Sequence, residues 1–232
     1  DNIESMKNKK ETKEGKKLKS FIVVTVIVLF VAVGYALLRY NIIKGVEFAH
    51  FPLYILNKGI SLAAVILIGL SFFIGPLARI WPNKFSSKLY LRKYFGIFGF
   101  GLASIHTIMS LILFNPAYYP KFFSESGKLN LTGELSMLFG VLAFFIFSIV
   151  ALTSIPSIEK SMNKTKWLYI QRAGYFAFLF VMFHVLIMGA GGWLKPDTWP
   201  GGLLPISLIA FLVILFVLLA RVIVILIPKE NE

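Results

Sequence analysis

The feature that most constrains this chain is a set of six long segments without Asp, Glu, Lys or Arg. They contain 132 of the 232 residues and occupy 21–38, 60–78, 94–119, 135–158, 173–194 and 198–220. A helix that crosses a bilayer needs roughly 17–25 apolar residues, and each segment is long enough. Membrane β-barrel strands instead alternate polar and apolar residues over about ten positions. We therefore expect an all-α membrane protein, a bundle of six transmembrane helices.

The positions of the basic residues predict how these helices are oriented. With six segments crossing in alternate directions, 18 of the 24 Lys and Arg residues fall on one side and 6 on the other. Cytoplasmic loops of membrane proteins carry an excess of Lys and Arg, so we expect both termini in the cytoplasm. The formal net charge of +13 is therefore explained by basic loops beside a lipid bilayer. For this reason we expect no nucleic-acid partner.

The segments and their flanks predict a single transmembrane domain. We expect a basic cytoplasmic segment at 1–20, a six-helix domain at 21–228 and a short cytoplasmic tail at 229–232. The first apolar run has 18 residues, more than the roughly 7–15 of a signal peptide, so we expect it to be retained. The connections are too short for a separate nucleotide or flavin domain, which needs on the order of 100 residues. With no cysteine in the sequence, disulfides, thiolate nucleophiles and cysteine-ligated metals are excluded.

Two histidines stand out because ionisable side chains inside a membrane are rare and usually functional. His106 lies 13 residues after Lys93 in the third segment, and His184 lies 12 residues after Arg172 in the fifth. Both imidazoles should then lie roughly 18–20 Å from the inner boundary, on helices that run in the same direction. We expect no other buried basic residue. Such a matched pair of imidazoles can supply both axial ligands of a haem iron, whereas His50 falls in an outer loop.

Simpler interpretations compete with these signals. A membrane histidine often only hydrogen-bonds a neighbouring helix, and the alternative function is a small transporter or a scaffold without haem. Zinc is disfavoured because it normally takes a third protein ligand. The acidic residue nearest to this depth, Glu134, is expected to stabilise the start of its helix. Gly96, Gly99 and Gly101 are expected to allow close helix packing.

Four stretches resemble the ferric reductase-like transmembrane domain family, and within it the haem-binding membrane subunits of bacterial periplasmic methionine sulfoxide reductase systems. They are Gly59-Ile-Ser-Leu with Gly-Pro76-Leu-Ala-Arg79, Arg92-Lys-Tyr-Phe-Gly96 leading to His106, Ala151-Leu-Thr-Ser154, and Trp167-x3-Gln171-Arg-x2-Tyr175 followed by His184. Their order and spacing match the family over residues 59–190. Members of this subunit often have a histidine where this chain has Gln171. Two-haem relatives have a further ligand at the position of Arg92 or Lys93.

The resemblance implies a transmembrane electron carrier that is the membrane subunit of an oxidoreductase. It implies one haem b on His106 and His184, because Gln171 and Arg92 or Lys93 replace the inner ligands, and it leaves a bound FMN open. Electrons would come from a quinol or a flavin reductase. They would pass to an extracytoplasmic acceptor, such as a reductase subunit or ferric iron. The implied location is the inner (cytoplasmic) membrane, which the chain would cross several times.

Overall fold

The structure, a computed structural model, describes the backbone of residues 2–227 and the side chains of residues 14–227. Within these residues there is no strand, only an isolated bridge between Phe123 and Leu129. Six helices there are long and apolar enough to cross a membrane, as expected. We number them α1 (Asn2–Leu37), α2 (Leu56–Ile80), α3 (Leu91–Leu113), α4 (Leu131–Leu152), α5 (Lys164–Trp193) and α6 (Ile206–Leu226). The tail at 229–232 lies outside the described residues.

α2 is the central helix of the bundle. It packs against α1, α3 and α6, while α5 packs against α4 and α6. In the most apolar stretch of α2, 56% of the residues are buried, against 17–22% in the other five helices. A helix that is apolar on all sides is stable when neighbours surround it. The apolar faces that the outer helices leave exposed are suited to contact with lipid.

Glycines let α2 and α3 approach each other closely. A Cβ added at Gly99 would lie 2.8 Å from Cγ1 and 3.1 Å from the backbone N of Ile68. A Cβ added at Gly96 would lie 3.1 Å from Oγ of Ser71. These two glycines have the packing role expected of them. Gly101 does not, because nothing lies within 4 Å of its added Cβ.

The first and third helices differ in extent from the uncharged segments that predicted them. α1 continues back through the basic segment to Asn2, and a π-helical turn at Leu38–Ile43 follows it. Lysine is compatible with a helix outside the membrane, so the charge boundary is not a helix boundary. α3 ends at Leu113, well short of 119. Pro116 follows three residues later, and the residue before a proline disfavours helical backbone angles.

The starts of α4 and α5 are each set by an asparagine cap. The side chain of Asn130 accepts a hydrogen bond from the backbone N of Gly133 at 2.9 Å. That of Asn163 accepts one from Thr165 N at 2.9 Å. Such caps satisfy backbone donors that have no partner within the helix. Glu134 lies exposed in the first turn of α4, where a negative charge is favourable.

Candidate functional site

A cavity of about 320 Å³ lies among α2, α3, α4 and α5. His106 of α3 and His184 of α5 both line it, so the structure brings the two predicted site residues together. Most of the remaining lining is apolar and includes Phe144 and Phe178. The volume is in the range of small-molecule sites, about 300–1,000 Å³. We call this space the histidine cavity.

The ring of His106 is oriented by Asn57 of α2. Nδ1 of His106 lies 2.8 Å from Oδ1 of Asn57, whose Nδ2 donates to Oγ of Ser110 at 3.0 Å. Asn57 is only 1% exposed. Because an amide oxygen can only accept, Nδ1 must carry the proton. The other ring nitrogen, Nε2, therefore has a free lone pair.

The ring of His184 is oriented in the same way by α4. Its Nδ1 donates to the main-chain O of Ser136 at 2.8 Å, and Oγ of Ser136 lies 3.2 Å from the same atom. A Cβ added at Gly140 would lie 3.1 Å from this Nδ1. The glycine thus makes room for the ring against α4. A carbonyl oxygen is also only an acceptor, so Nε2 of His184 again has a free lone pair.

The two histidines therefore share an arrangement that suits metal ligation. Among the described residues, Nε2 of neither ring has a hydrogen-bond partner. A metal-bound histidine almost always donates its other ring N–H to such an acceptor, which fixes the tautomer and the ring orientation. Sequence reasoning missed Asn57 and Ser136. Asn57 could have been suspected as a polar residue beside an apolar run, but a main-chain acceptor has no signal in the sequence.

His50 is not part of this arrangement. It lies in the 3-10 turn Phe48–His50, and its ring centroid is 6.1 Å from that of Tyr118. Its position before α2 agrees with the loop expected for it, and the outer location of that loop stays a prediction. Tyr118 and its neighbour Tyr119 lie in the connection between α3 and α4. Burial raises the pKa of the Tyr119 phenol above its usual range.

The expectation that no other basic residue is buried is wrong. Arg39 is 6% exposed, and its Nε donates to the main-chain O of Leu203 at 3.3 Å. Lys58 is only half-buried, but it lines the histidine cavity. α2 begins at Leu56, before the uncharged segment at 60–78, so Lys58 belongs to the helix instead of the preceding loop. The sequence did contain a signal for this. The apolar residues at 51–56 precede Asn57 and Lys58, so the apolar run continues on both sides of this short polar interruption.

Three tyrosine rings surround the ammonium of Lys58. Its Nζ lies 4.3 Å from the ring centroid of Tyr54, 5.2 Å from that of Tyr40 and 5.5 Å from that of Tyr119. A cation within about 6 Å of an aromatic face is attracted by the ring quadrupole. The rings therefore hold the charge at the end of the cavity where α2 begins.

A second cavity, of about 680 Å³, lies towards the opposite end of the bundle, and we call it the inner cavity. Its lining includes one acidic side chain, Glu159, and five basic ones: Arg79, Arg92, Lys93, Arg172 and Arg221. Within the described residues, the buried Nε of Arg221 has no hydrogen-bond partner. A cavity with this charge is suited to an anionic group. Ile68 of α2 and Phe147 of α4 line both cavities and lie where the two meet, and we call this pair the wall.

Gln171 lines the inner cavity and joins α5 to the end of α4. Its Nε2 lies 3.2 Å from the main-chain O of Val150, from Oγ1 of Thr153 and from Oγ of Ser154. An amide nitrogen has only two protons, so these acceptors share them. The side chain thus joins two helices at the position where the resemblance implied a histidine in related subunits.

Comparisons with known proteins agree with this architecture. A family model described as "ferric reductase like transmembrane component" matches residues 60–182, a range that includes His106 and ends just before His184. Metalloreductase STEAP2 of Mus musculus is 29% identical over 62% of this chain and 35% of its own length, and that of Homo sapiens is 29% identical over 62% and 34%. Metalloreductase STEAP3 of Rattus norvegicus is 25% identical over 62% and 35%. The chain spans about a third of the length of these curated relatives.

Proposed function

The chain belongs to the ferric reductase-like transmembrane family, and from that premise we propose that it is a b-type haem protein that carries electrons across a membrane. The family supports a membrane electron-transfer or reductase role. One observation carries the finer proposal. His106 and His184 line one apolar cavity, each with Nδ1 engaged and with Nε2 free of hydrogen-bond partners among the described residues.

The residues of the histidine cavity fit a haem. Nε2 of His106 and of His184 would hold the iron from two helices, and Asn57 and Ser136 fix the tautomer that leaves both Nε2 atoms free for a metal. The lining is mostly apolar, and Gly140 leaves room for the His184 ring. A haem bound here would supply a centre that accepts and releases one electron at a time. We propose one haem per chain.

The inner cavity is the proposed site of the electron donor. Its five basic side chains favour an anionic donor, such as a flavin whose phosphate they would bind. FMN satisfies this requirement better than a quinol does, because a quinol head group carries no charge. Arg92 is also held in place, since its Nε donates to the main-chain O of Ser71 at 3.1 Å. The wall of Ile68 and Phe147 keeps this site close to the histidine cavity.

The acceptor is proposed to react at the outer end of the bundle, where the histidine cavity lies. The relatives carry the name metalloreductase, which supports ferric iron as the acceptor. The resemblance to membrane subunits of methionine sulfoxide reductase systems supports an extracytoplasmic reductase subunit in its place.

The remaining parts of the proposal concern topology and location. We propose cytoplasmic termini, a basic segment at 1–20, a haem domain at 21–228 and a location in the inner membrane.

Absorption spectroscopy of the purified protein tests the haem proposal. The protein should show a Soret band and split α and β bands after reduction. His106→Ala and His184→Ala should each lose most of the haem, because each removes a side chain that would hold the iron. His50→Ala is the matched control and should keep it. A colourless protein from haem-sufficient cells, or full haem content in both cavity variants, would contradict the proposal and favour a scaffold or transporter.

A further inference from the structure

Lys58 places a positive charge at the outer end of the histidine cavity. It is the residue after Asn57, the partner of His106, and its ammonium lies among the rings of Tyr40, Tyr54 and Tyr119. Lysine side chains normally extend to water, because a charge is poorly stabilised in an apolar setting. This one lines an apolar cavity.

No carboxylate balances this charge in the part of the chain whose side chains are described. The ion pair found there joins Lys93 to Glu159, at the opposite end of the bundle. The charged side chains close enough to act on Lys58 are all cations: Lys121, Lys44 and Arg39. Lys58 is half-buried, and a charge partly withdrawn from water is stabilised by an opposite charge beside it. The outer end of the cavity therefore has the chemistry of a carboxylate-binding site.

We propose that Lys58 is the counter-ion of a haem propionate, bound while His106 and His184 hold the iron. This inference rests on the haem site proposed above. Haem b carries two propionate carboxylates, and enclosing one requires a cation or hydrogen-bond donors beside it. Lys58 is suited to this task because it lines the same cavity as both histidines. Lys121 is less available, since its Nζ already donates to the main-chain O of Met188.

The rate at which haem leaves the protein tests the proposal without measuring electron transfer. Lys58→Met keeps the side-chain length and removes the charge, and Lys128→Met removes a charge from an exposed loop residue. Transfer of haem from the purified protein to excess apomyoglobin should be about tenfold to hundredfold faster in Lys58→Met. The midpoint potential should also fall, because a positive charge stabilises the reduced form. Lys128→Met should match the wild type in both measurements.

A second arm uses haem dimethyl ester, which lacks the propionate charges. After reconstitution with the ester, the wild type and Lys58→Met should release it at the same rate. Faster release of both haem and ester from Lys58→Met would indicate a general packing role and overturn the proposal. An unchanged rate of haem release from Lys58→Met would also overturn the proposal. If Lys58→Met then bound ferric citrate more weakly than the wild type, Lys58 would belong to the site of the electron acceptor. A wild type without a Soret band would defeat the haem site itself.

Discussion

Asn57 and Ser136 orient the two histidines by different atoms, and this difference provides a matched pair of variants. Asn57 accepts from His106 with its side chain, whereas Ser136 accepts from His184 with its main chain. Asn57→Leu therefore removes the acceptor of His106 at nearly constant volume. Ser136→Ala removes only a hydroxyl 3.2 Å from Nδ1 of His184 and leaves the main-chain bond at 2.8 Å.

The expected effects of the two variants differ in size. Asn57→Leu loses the 2.8 Å bond to His106 and the 3.0 Å bond to Ser110. An unsatisfied buried polar group costs about 1–3 kcal/mol, and losing the outer partner of a metal-bound histidine typically lowers metal affinity about 10–100-fold. We expect haem to be retained about 10–100-fold less tightly in Asn57→Leu. Ser136→Ala should change retention by no more than about threefold, because the main-chain bond remains.

Haem transfer to apomyoglobin measures retention, and potentiometric titration of the α band measures the midpoint potential. The potential should rise in Asn57→Leu, because an imidazole without its acceptor is a weaker donor to ferric iron. It should stay close to the wild-type value in Ser136→Ala. Equal release rates in the two variants, or faster release from Ser136→Ala, would refute the reasoning that Asn57 is the orienting partner of His106.

Three further predictions follow from the fold. Gly140→Ala should lower haem content several-fold, because the added Cβ would lie 3.1 Å from Nδ1 of His184. Gly191→Ala is the control and should keep the haem content, because nothing lies within 4 Å of its added Cβ. Gln171→Ala should keep about one haem per chain with an unaltered spectrum, and two haems per chain or loss of haem would contradict its structural role. Reporter fusions at the C-terminal end and near Ser124 should report opposite sides of the membrane, and a shared side would reject the six-helix topology.

The sequence predicted those parts of the molecule that depend on position along one helix. The six spans follow from the lengths of uncharged segments, and counting from Lys93 and Arg172 places His106 and His184 at one depth, where they do share a cavity. That they bind haem stays a prediction. Contacts between helices were not predictable in this way. The bond between Asn57 and His106 depends on how α2 is rotated against α3, which no count along either helix provides.

Charge patterns were the least reliable guide to burial. Lys58 interrupts an apolar run, so a rule that ends segments at charges assigned it to a loop, although three aromatic rings hold it within the bundle. The rings come from different elements, since Tyr40 follows α1, Tyr54 precedes α2 and Tyr119 follows α3. Only the folded arrangement assembles them around the ammonium.

The wall of Ile68 and Phe147 has an electrical consequence. Both side chains are hydrocarbon, so neither offers a proton a hydrogen-bonded route from the inner cavity to the histidine cavity. An electron carried past this wall in the proposed direction would not be accompanied by a proton through these two side chains, and its passage would separate charge across part of the bilayer. With the termini in the cytoplasm, as proposed, the electron moves outward, down a membrane potential that is negative inside. Moving one electron across the full membrane is worth about 2.3 kcal/mol per 100 mV. In sealed vesicles with an imposed inside-negative potential, turnover should therefore be faster at higher voltage, and it should discharge that potential.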